Sequence, residues 1–228
     1  MRAGVLNAGW FGFARPAEAR GQEGPVAVER TRPRVAVWDA ERFASDQIQN
    51  LVRTVFDERA TPPVRQIVLS AIDPDIDIQS LCEKVGKALA AQTAKDVAVV
   101  RRQSSEQISS VHASNSLRQS AFPLGTNVWL LSIEVNHQEE YGTGSLYQFL
   151  DKVRSEFDYS LVTAQPGALN EAIAAGRLAD GTVLVLSAAK TRRASASRFL
   201  TGLRGVRVLG TVLIDRDFPM PEAIYRRL

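Results

Sequence analysis

Three carboxylates at alternate positions, Asp73, Asp75 and Asp77, follow the apolar run Ile67, Val68, Leu69 and the small residues Ser70 and Ala71. A helical pattern follows them. Strand, turn and helix in this order are the anatomy of a phosphate loop, which needs glycines to turn backbone N–H groups inward, a lysine for the β- and γ-phosphates and a Ser/Thr hydroxyl for magnesium. Residues 72–80 contain no glycine and no lysine. Two like unit charges about 4 Å apart at an effective dielectric near 20 interact by roughly 4 kcal/mol, so the three aspartates should repel a triphosphate. A calcium loop fails as well: its sixth position needs glycine and is Ile78, and its twelfth needs glutamate and is Lys84. The turn therefore reads as a solvated acidic segment that caps the next helix through Asp77 or Ser80.

Other reactive residues are few. His112 and His137 lack Cys, His or acidic partners at ligand spacing, so no metal is expected. No Gly-x-Ser-x-Gly elbow accompanies the many serines. Cys82 is the single cysteine, reads as a core residue and suits a reducing compartment. Lys190, Arg192 and Arg193 follow an apolar run at the edge where doubly wound sheets bind ligands, and they are candidates for holding an acidic partner or anion, or else begin a solvated helix.

The elements that must position these residues alternate. Residues 1–33, rich in Gly, Pro, Arg and Ala, read as a poorly ordered leader, and 34–228 as one domain. A short strand is expected at 35–38 and an amphipathic helix over 45–56. The central helix presents Leu81, Val85, Ala88 and Leu89 on one face. Strands are expected at 67–69, 97–100, 127–133, 159–163, 182–187 and 206–214, with helices at 146–157, 168–178 and 193–203. Residues 101–125 read as loop plus one short helix. Such alternation predicts a doubly wound, three-layer α/β domain with a mostly parallel sheet.

Bulk properties agree with a folded domain. The chain has 228 residues, 45% of them hydrophobic, and a net charge of +3. Its arginine pairs are dispersed, which argues against nucleic acid. No apolar run reaches the 18 or more residues of a membrane span.

In order and spacing these elements resemble the bacterial tyrosine kinase and capsular exopolysaccharide ATPases, relatives of the partitioning and cell-division-site ATPases with deviant phosphate loops. The marks are Glu156-Phe157-Asp158-Tyr159 before a strand, Ala179-Asp180-Gly181 before VLVLSAAKTRR, and Val208-Leu209-Gly210-Thr211-Val212-Leu213 at the end of the sheet. The resemblance covers residues 42–228 and implies a P-loop NTPase-like fold. Ser70, Ala71 and Pro74 match the family's phosphate loop, but its glycines fall on Asp75 and Asp77, its lysine on Ile78 and its hydroxyl residue on Gln79. The acidic motif at the end of the next strand falls on Arg101, Arg102 and Gln103. Asp158 and Tyr159 are kept from the third motif, whose metal-side aspartate becomes Thr163 and whose last residues become Gln165 and Pro166. The base-side asparagine becomes Ile214. The ring-forming Glu-x-x-Arg-x-x-Arg becomes Asp46, Gln49 and Val52, and one tyrosine, Tyr225, stands where the kinases carry a tyrosine-rich tail.

Phosphoryl transfer is positioning plus charge stabilisation, and every charged part of it is replaced. The resemblance thus implies a catalytically inactive, cytoplasmic relative with no ATP or magnesium, acting as a binding or regulatory module in capsular or exopolysaccharide biosynthesis and export. The implied partner is a polysaccharide co-polymerase, or a related kinase, at the inner membrane. Two alternatives remain open: an active kinase or ATPase that binds ATP and magnesium through non-standard contacts, with residues 104–120 and 190–193 supplying cations, and a partitioning-type scaffold.

Overall fold

A computed structural model of the chain describes residues 40–57, 59, 61–104, 116–135 and 143–215. The elements run α1 (Ala40–Val55), β1 (Gln66–Ala71), α2 (Ile78–Thr93), β2 (Val97–Ser104), α3 (Leu117–Ser120), β3 (Phe122–Gly125), β4 (Val128–Val135), α4 (Thr143–Glu156), β5 (Tyr159–Thr163), α5 (Leu169–Leu178), β6 (Gly181–Ser187), α6 (Arg193–Gly202) and β7 (Val208–Ile214). The strands form one seven-stranded sheet in the order β3-β4-β2-β5-β1-β6-β7. All neighbours are parallel except β3 and β4.

Hydrophobicity on both faces puts β1 and β5 in the middle. Every residue of each is buried, as expected of strands covered by helices on two sides. One apolar layer joins Val52 and Val55 of α1 and Cys82, Val85 and Leu89 of α2 to Ile67, Leu69 and Val99 of the sheet. The opposite layer joins Leu150 and Val153 of α4, Ala172 and Ala175 of α5 and Phe199 of α6 to Val68, Val100 and Leu184. The protein is therefore a doubly wound three-layer α/β domain. The expected leader at 1–33, the strand at 35–38, His112 and His137 lie outside the described residues.

Four local expectations need correction. Residues 101–103 are strand rather than loop, because β2 keeps an unbroken parallel register with β4 from Val97 to Ser104. The stretch expected to be irregular also contains β3, an antiparallel edge strand that leans on β4. The buried stripe of α2 is centred on Ile78, Cys82, Val85, Gly86 and Leu89, with Leu81 and Ala88 on its flanks. Gly86 explains the rotation: a Cβ there would stand 2.9 Å from Val99 Cγ2, so only glycine lets α2 lie this close to β2. Helix α1 also starts earlier than its apolar spacing predicts, at Ala40.

Candidate functional site

The carboxyl ends of β1, β5 and β6 lie side by side, and the turn after β1 bends over them. The N–H of Ile72 donates to Val185 O at 3.2 Å, and Gly167 N donates to Ala71 O at 2.8 Å. Gly167 adopts a φ of 77°, a left-handed conformation that glycine enters without steric cost. The turn itself is held from inside by apolar side chains, since Ile72, Ile76 and Ile78 are all buried. Within the turn, Ile76 N donates to Asp73 O at 3.3 Å and Ile78 N to Ile76 O at 2.8 Å. Asp77 is the N-cap of α2 and accepts from Ser80 N at 3.0 Å, one of the two capping arrangements expected. Gln79 donates to Glu83 Oε1 at 2.9 Å.

The other two aspartates are not simply solvated. They face the turn after β6, where Ser187 N donates to Thr191 Oγ1 at 2.8 Å and Lys190 N to Ser187 Oγ at 3.2 Å. The Thr191 hydroxyl in turn donates a hydrogen bond to the Asp73 carboxylate. Lys190 Nζ meets Asp75 Oδ2 at 3.2 Å, with both side chains more than half exposed. The two turns are thus clasped together by residues 115 and 118 positions apart. Arg192 is the N-cap of α6 without a side-chain cap bond and Arg193 is its first helical residue; both are exposed. Of the three cations expected to hold a partner or anion, Lys190 is engaged within the chain.

Several of the remaining sequence-matched positions have structural partners here. Thr163 is buried and donates to Val100 O at 3.2 Å, tying β5 to β2. Arg101 is exposed and its Nε donates to Ser132 Oγ on β4 at 3.1 Å. Gln103 lies in β2, opposite Glu134 in the register. Gln165 N donates to Glu171 Oε2 at 3.1 Å. Ser70 is buried, and its hydroxyl has no hydrogen-bond partner among the described residues. Among the described residues no three His, Cys, Asp or Glu side chains gather around a point where a metal ion could sit. Cys82 is buried, with burial pushing its thiol well above the ordinary range, so it stays protonated and unreactive.

A second polar constellation, not foreseen from sequence, lies at the amino end of the sheet. Asp180 Oδ2 accepts from the N–H groups of Arg65 and Gln66 at 2.8 Å each, and its Oδ1 meets Arg154 Nη2 at 3.0 Å. Gln66 bridges onward to Leu150 O and to Arg154. Nearby Glu156 accepts from Ser116 Oγ at 2.8 Å and from the N–H groups of Leu117 and Arg118. Desolvation pushes the Glu156 carboxyl up, but these three donors, helped by Lys152, outweigh it and hold the group below its ordinary value. Arg118 reaches Asp96 at 2.6 Å and lies 5.0 Å over the Phe157 ring. Asp158 accepts from Asp96 N at 3.1 Å, and Tyr159 packs edge-on against Phe56. The pairing of acid before strand with acid before the next strand, Asp158 and Asp180, was the available signal.

No known protein family matches the sequence, and no curated protein does. Solved structures do match. The BceF tyrosine kinase domain is similar with a TM-score of 0.55 and 18% identity, over 75% of this chain and 76% of that one. The kinase domain of the Escherichia coli tyrosine kinase ETK gives 0.59 and 16%, over 78% of each chain. The MinD cell division protein of Aquifex aeolicus gives 0.52 and 15%, over 72% of each. The chain has a P-loop NTPase-like fold. In that fold the turn after β1 is where the phosphate loop stands, and here it carries the clasped aspartates.

Proposed function

We propose that this P-loop NTPase-like chain is a catalytically inactive relative of the bacterial tyrosine kinase domains that works as a binding or regulatory module in capsular or exopolysaccharide assembly. The observation that carries the reading is the clasp of Asp73 and Asp75 onto Thr191 and Lys190. The residues present do not fit a magnesium triphosphate. A triphosphate needs inward N–H groups and a cation where this turn offers carboxylates outside and isoleucines inside. The lysine closest to hand already neutralises a carboxylate of the turn. The partner under this reading is the cytoplasmic end of a polysaccharide co-polymerase or an active kinase of the same fold at the inner membrane. Among the described residues no helix is long and apolar enough to cross a membrane.

Calorimetric titration of the purified chain with magnesium-ATP and magnesium-ADP tests the reading, together with a thermal-shift scan in excess nucleotide. A ligand at a hundredfold excess over its dissociation constant stabilises the native state by about 2.7 kcal/mol, well within detection. The expected result is neither heat nor shift. Saturable binding in the micromolar range overturns the reading in favour of an active kinase or ATPase with rearranged contacts.

A further inference from the structure

Strand β7 ends the sheet, and among the described residues nothing pairs with its outer edge. Sheet edges in natural proteins are guarded by short length, prolines, charges or bulges, because an open row of N–H and C=O groups templates pairing with another chain. The opposite edge obeys this rule: β3 has four residues, includes Pro123 and shifts register against β4. β7 has seven residues, Val208 to Ile214, with no proline and no charge. Its one irregularity is a register shift against the start of β6. Val208 is 36% and Leu213 50% exposed, and α6 adds Leu200 at 42%.

Two features say what fits this edge. Ile214 O accepts from Ala188 N at 2.8 Å, so the backbone groups of Ile214 face inward, and the alternation of a strand turns those of Leu213 and Thr211 outward. The strand is also flanked by exposed residues of opposite sign, Arg207 before it and Asp215 after it. Thr211 is the midpoint between these two charges. An antiparallel partner with the same sequence, centred on Thr211, would bring each Arg207 to the end of the contact where the other copy's Asp215 lies. A parallel copy would instead set like charges together at both ends.

We propose that the outer edge of β7 pairs antiparallel with β7 of a second copy about a two-fold axis at Thr211, joining two seven-stranded sheets into one. The contact is isologous and self-closing. Its area lies at the small end of specific interfaces, below about 1,200 Å² in total, so the dimer forms reversibly with concentration. It uses no residue of the clasped turns, and its test is independent of nucleotide.

Sedimentation velocity on the full chain, run from about 1 to several hundred micromolar, should show mass rising from one 25.0 kDa chain towards two. Thr211→Pro removes an outward N–H and leaves the bonds to β6 in place, so it should stay folded and monomeric. Thr211→Cys provides a separate readout. Directly opposed residues in a hydrogen-bonded antiparallel pair have Cα atoms about 5.5 Å apart, within disulfide range, so gentle oxidation should yield a covalent dimer. The native Cys82 is buried and gives little background. Val208→Cys is the control, since two Val208 positions would stand about 20 Å apart along the strands. A chain that stays monomeric throughout, as it would with the edge covered by its own residues, overturns the proposal. A folded Thr211→Pro variant that still dimerises, or Val208→Cys cross-linking as fast as Thr211→Cys, also overturns it.

Discussion

The two ends of the sheet are held by different chemistry. At the amino end, Asp180 gathers two backbone N–H groups and an arginine, and Glu156 gathers two backbone N–H groups and a hydroxyl. At the carboxyl end, Asp75 and Lys190 meet as a single exposed pair, and Asp73 accepts one hydrogen bond from a hydroxyl. Carboxylates that satisfy backbone donors leave those donors orphaned when removed, whereas an exposed ion pair leaves only hydrated charges. Asp158 and Asp180 stand at the amino end and brace the scaffold there. The acidic turn and its clasp stand at the carboxyl end. The two ends can therefore be altered separately, because different residues serve them.

Substitutions can break this contrast. The largest effect is expected for Asp180→Ala, which strands the N–H groups of Arg65 and Gln66 and frees Arg154. A loss of about 3 kcal/mol in urea unfolding is expected, and a loss below about 1 kcal/mol would remove the amino-end brace as an explanation. Glu156→Gln should cost about 1 kcal/mol at neutral pH, since the amide oxygen still accepts but the charge is gone. It also has a pH signature. Because the folded protein holds the Glu156 carboxyl below its ordinary 4.5, its contribution is present above that value and fades as the pH falls through the lowered folded value. The wild type should lose stability over that acid window, and the Gln variant should lose correspondingly less. The smallest effect is expected for the clasp: a double-mutant cycle with Asp75→Ala and Lys190→Ala should give a coupling of about 0.5 kcal/mol or less, shrinking further in salt. A coupling above about 2 kcal/mol would erase the difference between the ends.

The element order was legible because buried parallel strands write themselves as uninterrupted apolar runs, as at Val97 to Val100 and Thr182 to Ser187. Where the outcome rested on a partner, local pattern was insufficient. Arg101, Arg102 and Gln103 carry no strand signal of their own, and β4 draws them into the sheet. The short β3 and the rotated stripe of α2 are likewise set by neighbours, the latter by contact between Gly86 and Val99. The acidic turn was legible in the sequence, as was a cap from Asp77 or Ser80, of which Asp77 is the one formed. The clasp was not, because Asp75 and Lys190 are 115 residues apart and nothing local in either turn names the other. Ile76 and Ile78, which alternate with the aspartates, gave the one local hint that the turn is pinned from within.

The position of β1 has a consequence for synthesis. Its two neighbours are β5 and β6, so Gln66 waits for Ser160 and Ile67 for Gly181 before either finds its place. At a translation rate of about 5–20 residues per second, that is on the order of ten seconds during which an apolar strand and the greasy face of α2 have nowhere to go. A nascent chain of this topology presents a long-lived sticky segment to whatever waits at the ribosomal exit, and any fragment that stops short of β5 should aggregate.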